Sequence, residues 1–409
     1  MTTAKMHRAR IYETIDPLTG TRSLPLTGLL DCPRRLDADV VSPIDVPGFD
    51  NSSMDGYALA AATLEARSGA GEPAPIPVRG QVAAGARGDT VAPGTAVEIM
   101  TGAPLPPGTD TIIRIEDTAP GAFGAESITL DLPTGTKNPQ VGNFVRPLGS
   151  DVRAGQTVLS AGTQLRPAHL GVAAACGITE LPVRSLPRIL IISTGDEITA
   201  EAAAGINDAN SVTLSAGLRR LGAETEVAFV PDDPQALLDT VRGSTADLVI
   251  STGGISKGAH EVVKLAAEAD PSAAMVFEPI AMQPGGPQGC GRLADHPWVA
   301  LPGNPVSTLI SFEMFIRPAL LGIPGDEPAR EVGYHRLAHG FDETPPTGKL
   351  QIRRARLTDQ GLQFIGGSRS HLLHSYAEAT HLVFVSPETP GPDDPFSAAG
   401  DRLMTWKIA

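Results

Sequence analysis

The chain is short of the residues that would tie it to several common classes of protein. Its three cysteines, Cys32, Cys176 and Cys290, lie far apart with no CxxC pair. That spacing argues against a disulfide framework or a zinc site and leaves them as packing residues. No run of Lys or Arg offers a stripe for a phosphodiester backbone, and the formal net charge is −14, so nucleic acid is not expected as a partner. Long apolar runs are missing too. Apolar runs such as residues 189–192 are strand-sized, whereas a membrane helix needs about 20 apolar residues. The opening residues show no secretion signal, and the expectation is a cytoplasmic protein without a membrane segment. Also missing are GxxxxGK[ST], an ordered GxGxxG and GxSxG, which leaves P-loop, Rossmann and α/β-hydrolase readings without support.

What is present is a folded chain long enough for about two to four domains. Hydrophobic residues make up 41% and charged residues 19%, while 44 glycines and 37 prolines force frequent turns, a composition suited to short strands. Short strand candidates at 77–82, 96–100, 111–115 and 127–130 read as a small β domain over 46–145. It interrupts a discontinuous N-terminal domain of 1–45 and 146–186, in which Pro167 opens a helix and Gly177 stops it. From 187 to 327, nearly all-apolar strands alternate with helices of about a dozen residues, the pattern of a doubly wound parallel sheet covered on both faces. Strands return over 328–409 as a second, C-terminal β domain. The expected fold is therefore multi-domain, α/β plus β.

In an open parallel sheet, ligands gather at the carboxyl ends of the strands. Three loops occupy that place. One holds Ser193, Thr194, Gly195, Asp196 and Glu197; the second holds Gly253, Gly254, Ser256, Lys257 and Gly258; the third holds Pro302, Gly303, Asn304, Pro305 and Ser307. Glycines let backbone approach a ligand closely, and hydroxyls and Lys257 add donors for an anion. Any one loop alone is as well explained by a tight strand-to-helix turn; their coincidence on one sheet edge favours a phosphate-handling site. Asp196, Glu197 and Asp232 follow strand ends, where a carboxylate holds magnesium, holds a ribose hydroxyl or caps a helix. The pairs His335/His339 and His371/His374 lie in turn-rich text and read as surface or packing residues.

In order along the chain, these loops resemble those of the molybdopterin molybdenumtransferases, the bacterial MoeA and gephyrin E-domain family. Asp50-Asn51-Ser52-Ser53-Met54-Asp55-Gly56-Tyr57-Ala58, the block from Ile99 to Pro106, Gly149-Ser150-Asp151 and Ser368-Arg369-Ser370-His371 continue the likeness. The resemblance implies hydrolysis of adenylylated molybdopterin and insertion of molybdate at the dithiolene, with release of AMP and molybdenum cofactor. It further implies magnesium, and a homodimer with a shared cleft. By resemblance Asp55, Thr101, Asp151, Glu197 and Glu261 are catalytic, and Asp196 and Glu261 hold the metal. Asp232 joins the three loops in binding substrate, and Ser307, Arg354 and Ser370 hold molybdate.

This chain also departs from the family pattern. Ala259-His260-Glu261 stands where two acidic residues usually flank a variable one, so the first carboxylate is gone. Met282-Gln283-Pro284-Gly285-Gly286-Pro287 replaces a loop that usually carries two lysines, and Lys257, Arg354 and Arg369 are the nearby cations left to compensate. The N-terminal lead-in lacks the family's long helical opening. These departures define an alternative, a non-catalytic paralogue that binds molybdopterin or a nucleotide. No added partner domain supports a scaffold role.

Overall fold

A computed structural model describes residues 2–30, 34–66, 74–133, 136–195, 206–256, 261–339, 346–386 and 402–409. The chain divides into two compact units, one of Met1–Leu24, Gly28–Asp37 and Pro182–Ala409, the other of Pro25–Thr27 and Ala38–Leu181.

The larger unit is built on a six-stranded sheet in the order Thr225–Val230, Ile189–Thr194, Leu248–Thr252, His296–Leu301, Pro287–Leu293, Ala274–Pro279. The first four strands run parallel. Ile189–Thr194 is buried along its whole length, as an apolar strand covered on both faces must be. Successive side chains point to opposite faces. Ile189 and Ile191 therefore join Leu214 and Leu218 in one core, while Leu190 and Ile192 join Leu237 and Val263 in the other. Helix ends follow local chemistry. Asp208 accepts the Ser211 N–H at 3.0 Å ahead of Ala209–Leu221, which stops at Gly222 in a left-handed conformation (φ 92°). Asp233 caps Pro234–Arg242.

The last two strands are antiparallel to their neighbours, so the sheet is mixed and the parallel pattern read from the sequence covers only part of it. Pro287–Leu293 and His296–Leu301 form a hairpin whose two turn residues, Ala294 and Asp295, have φ of 48° and 60°, the backbone of a type I′ connection. The N-terminal helix, Ala4–Ile15, is capped by Thr3 and buries Ile11 and Ile15 in the same core as Phe315.

A second sheet of this unit runs Met282–Gln283, Leu350–Thr358, His381–Val385, Arg402–Lys407, Val332–Arg336, with Gly361–Phe364 paired to Leu350–Thr358. Its first strand belongs in sequence to the α/β region, and Met282 and Gln283 pair in parallel with Leu350 and Gln351. Ile352, Leu382, Phe384, Met404 and Trp406 pack into one core with Val299, Val306 and Phe315. The α/β and C-terminal strands are thus joined both by hydrogen bonds and by apolar packing.

The smaller unit carries a six-stranded sheet in the order Thr111–Arg114, Gly56–Leu59, Ala96–Ile99, Ile76–Val82, Ser127–Leu130, Thr118–Ala119. Tyr57, Leu59, Ile76 and Ile113 form one of its cores, and Ala58, Val97, Ile99 and Ile112 another. Among the described residues, no helix is long and apolar enough to cross a membrane.

Candidate active site

In the larger unit, the strand ends at Thr252 and Leu301 open onto a cavity of about 630 Å³. Gly253, Gly254, Ile255 and Ser256 line one part of it, and Pro302, Gly303, Asn304 and Ser307 another. The 282–287 segment, Lys349 and the 368–371 loop complete the wall. Gly253 and Gly254 sit at φ 90° and 65°, and a Cβ on Gly254 would lie 2.9 Å from Val262. Glycine is required there by conformation and by space.

The lining is held from behind by side chains that do not face the cavity. Asn210 donates to the Gly303 carbonyl at 2.7 Å, and Thr308 donates to the Pro302 carbonyl at 2.7 Å. The Gln288 amide donates to the Gly285 carbonyl at 2.8 Å and to Ser311 Oγ at 2.7 Å. Glu261, the residue before helix Val262–Ala269, accepts the Ser256 N–H, and Lys264 donates to the Ser256 carbonyl. The Val306 N–H donates to the Ser370 carbonyl at 3.0 Å, tying the Asn304–Ser307 turn to the C-terminal loop.

Charge is distributed unevenly around the cavity. Its described lining contains no Asp or Glu in a chain of net charge −14. Lys349, Arg369 and His371 supply the ionisable groups, all from the C-terminal strands and loops. Among the described residues, the α/β side offers glycine backbone, hydroxyls, amides and apolar side chains. Such a surface accepts an anion, because donors and cations face it with no carboxylate of the described lining opposing them.

Of the loop residues expected to bind substrate, Gly253, Gly254, Ser256, Pro302, Gly303 and Asn304 line the cavity, as do Ser307 and Ser370. Pro305 opens the helix Pro305–Ser311. The loop after Ile189–Thr194 stands behind the lining: Thr194 donates to the Thr252 carbonyl at 3.3 Å and Ser193 to Asp208 at 2.8 Å. Gly195 lies just beyond that strand with φ 133°, and half-buried Asp232 follows Thr225–Val230. Asp196, Glu197, Lys257 and Gly258 lie outside the described residues. Arg354 is buried, and its guanidinium donates to the carbonyls of Gly367 and, at 3.1 Å, Arg369. It braces the 367–371 loop from behind.

The signatures of the smaller unit form their own constellation. Asp55 Oδ1 accepts the Thr101 N–H at 2.7 Å and the Thr101 hydroxyl at 2.9 Å. Those bonds, the backbone one foremost, hold its carboxyl below the usual range. Asp151 is exposed in a turn whose N–H donates to the Val46 carbonyl at 3.0 Å. Among the described residues, no group of three or more His, Cys, Asp or Glu is placed to hold a metal ion.

Comparison with known proteins gives this geometry a family. Residues 2–177 match the MoeA N-terminal region (domain I and II), and residues 190–322 match a probable molybdopterin binding domain. Molybdopterin molybdenumtransferase 2 of Mycobacterium tuberculosis is 40% identical over 99% of this chain and 97% of its own length. The chain belongs to the molybdopterin molybdenumtransferase family. Relatives of that family in Synechococcus elongatus, 34% identical over 90% of each chain, and Haemophilus influenzae, 30% identical over 95% of each, span nearly the same extent. The MoeA protein of Pyrococcus horikoshii shares the fold, with a TM-score of 0.76 at 22% identity over 100% of both chains.

The cavity also marks residues that the sequence motifs left aside. Lys349, Asn210 and Gln288 have no motif around them; each acquires meaning only from where the fold puts it.

Proposed function

We propose that this chain is a molybdopterin molybdenumtransferase, which cleaves adenylylated molybdopterin and inserts molybdate at the dithiolene with release of AMP. The observation that carries this reading is the cavity lining: glycine backbone, hydroxyls and cations, without a described carboxylate. Both substrates are anions, and such a lining stabilises them by charge-assisted hydrogen bonds. Ser193, Thr194, Gly195, Asp196, Asp232, Gly253, Gly254, Ser256, Lys257, Gly258 and the Pro302–Pro305 turn are assigned to the pterin and phosphates. Ser307 and Ser370 are assigned to molybdate, with Arg354 setting the loop that carries Ser370. Asp55, Thr101, Asp151, Glu197 and Glu261 are assigned to catalysis.

The described residues do not by themselves make a magnesium site. Glu261 accepts the Ser256 N–H, and no three-carboxylate cluster accompanies it among those residues. Asp196 and Glu261 are the carboxylates that would hold such an ion, which would offset the negative charge of the substrate's phosphates. We further infer a cytoplasmic homodimer and the division into 1–45 with 146–186, 46–145, 187–327 and 328–409.

The purified protein given adenylylated molybdopterin, magnesium and molybdate is expected to release AMP and form cofactor. Tight binding without AMP release would instead identify a non-catalytic paralogue. Glu261→Gln keeps an oxygen acceptor for Ser256 but removes the charge. It is expected to slow AMP release by about 100-fold or more while nucleotide affinity changes little. Unchanged turnover would remove Glu261 from the mechanism.

A further inference from the structure

We propose that Gln288 is a positioning residue for the cavity wall at 283–286, and that the N-terminal segment sets it through His7; the consequence for turnover rests on the enzymatic reading. Gln288 stands near the start of the strand Pro287–Leu293 and is buried. Its amide nitrogen donates to the Gly285 carbonyl at 2.8 Å and to Ser311 Oγ at 2.7 Å. Gly285 lines the cavity, and Ser311 ends the helix Pro305–Ser311, whose first turn carries Ser307, another lining residue. One amide thus ties two parts of the wall together from behind. Backbone bonds close the segment at its base, from the Ile280 N–H to the Gly286 carbonyl at 2.6 Å and from the Met282 N–H to the Ile280 carbonyl at 2.8 Å. The Gln288 amide fixes the Gly285 peptide within that closed segment. Released from it, the peptide would be free to turn its oxygen toward the cavity, where it would repel an anionic substrate.

The N-terminal segment reaches the same wall. The Thr2 carbonyl accepts the Ala281 N–H at 2.9 Å, and the Thr2 hydroxyl and the Arg10 guanidinium donate to Glu278. Glu278 and Gln288 are partners across adjacent antiparallel strands, and Glu278 Oε1 lies 3.7 Å from His7 Nδ1. The helix Ala4–Ile15 therefore sets its buried imidazole beside both side chains. Gln288 is close enough to favour the protonated ring, yet burial outweighs it and keeps the imidazole neutral down to about pH 4. Glu278 and Arg10 also act on the ring, and the Cys290 thiol near them is pushed up to about 11 by burial and stays neutral. A neutral imidazole carries one N–H. Among the described residues, neither ring nitrogen nor Gln288 Oε1 has a hydrogen-bond partner, so an unused donor and an unused acceptor stand side by side. Leaving both unpaired in a buried site is unfavourable, and a small rotation of either side chain joins them. His7 then holds the oxygen of the amide whose nitrogen holds the wall.

The test follows hydrogen–deuterium exchange over residues 280–287 in the full chain, with residues 189–194 of the same unit as the reference. Gln288→Met keeps the length of the side chain and Gln288→Glu its shape, and both remove the donor. Each is expected to speed exchange over 280–287 about tenfold while 189–194 stays as in wild type. Exchange no faster than wild type overturns the proposal. His7→Phe is expected to move 280–287 in the same direction by a smaller factor, and His7→Gln, which restores an N–H, to recover part of it; this comparison stands even where the Gln288 variants fail to fold. In the double variant His7→Phe with Gln288→Met, exchange is expected to match Gln288→Met alone, because His7 acts through Gln288. Additive effects would show that His7 only packs, and overturn its part. With adenylylated molybdopterin, magnesium and molybdate, the Gln288 variants are expected to raise KM about tenfold with kcat little changed. Faster exchange with unchanged kinetics overturns the positioning role. A wild type that forms no cofactor counts against the enzymatic reading, while the exchange comparison still decides whether His7 and Gln288 hold the wall.

Discussion

At the scale of single residues, the buried imidazole of His7 links folding to pH. It is fully enclosed on the N-terminal helix, edge-on to the Phe315 ring at 4.9 Å between centroids, with Glu278 Oε1 3.7 Å from its Nδ1. Burial pulls its pKa down to about 4, with Glu278 partly opposing and Arg10 adding to the fall. The unfolded value is near 6.5, so on acidification the unfolded chain takes up this proton first. The contribution is fully present above about pH 6.5 and is lost as pH falls toward about 4, on the order of 3 kcal/mol in all. Urea unfolding midpoints are expected to drop across that window in wild type and to drop less in His7→Phe. Identical slopes in the two proteins would remove His7 as the cause. The residue scale is also where sequence reading meets its limit. Glycines such as Gly253 and Gly254 announce themselves because the strands before them end there. Lys349 follows an ordinary turn, and Arg354 gives no sign in the sequence that its guanidinium is used on carbonyls.

At the scale of elements, the helical run from Pro305 to Leu320 widens to a π-turn over Phe312–Ile316. Glu313 in that turn is buried and takes paired bonds from two guanidiniums, Arg317 at 2.7 and 3.1 Å and Arg330 at 2.9 and 2.8 Å. Burial alone would raise its carboxyl, yet Arg330 and Arg317 outweigh it and hold the group below its usual range. Glu313→Gln leaves both cations without a counter-charge, and a loss of about 3–5 kcal/mol is expected from breaking such a group. A urea midpoint equal to wild type would show that the cluster is not stabilising. Most elements of this kind were legible beforehand. Thr225–Val230 and Pro234–Arg242 fall where the apolar pattern puts them. Pro287–Leu293 gives little β signal in the sequence because Pro, Gly and Cys interrupt it, and pairing with its neighbours Ala274–Pro279 and His296–Leu301 makes it a strand. Met282–Gln283 is two residues long and exists only through its partner Leu350–Thr358.

At the scale of the whole larger unit, the α/β and C-terminal strands share one apolar core, which holds Trp406, while Trp298 lies in the second core of the mixed sheet. Trp298 lies in the mixed sheet with its Nε1–H donating to Ser251 Oγ at 2.9 Å, and Trp406 lies in the C-terminal sheet against Phe384. Both are buried, and they are the two tryptophans of the chain. Trp298→Phe and Trp406→Phe therefore give single-tryptophan proteins that each watch one of the two cores. If the core is cooperative, each variant's fluorescence transition coincides with its own far-ultraviolet transition. A tryptophan signal separated from the backbone signal would show that the two sheets unfold independently.

The cavity's cations come from 349–371, and its neutral shape comes from 253–256 and 302–304. Selection can act on these two sets separately. An exchange at Lys349, Arg369 or His371 changes the charge that faces the cavity without asking any sheet strand to repack. The glycines at 253 and 254, locked by conformation and space, leave little room for drift. Ligand preference in such a lineage can therefore diverge faster than its architecture.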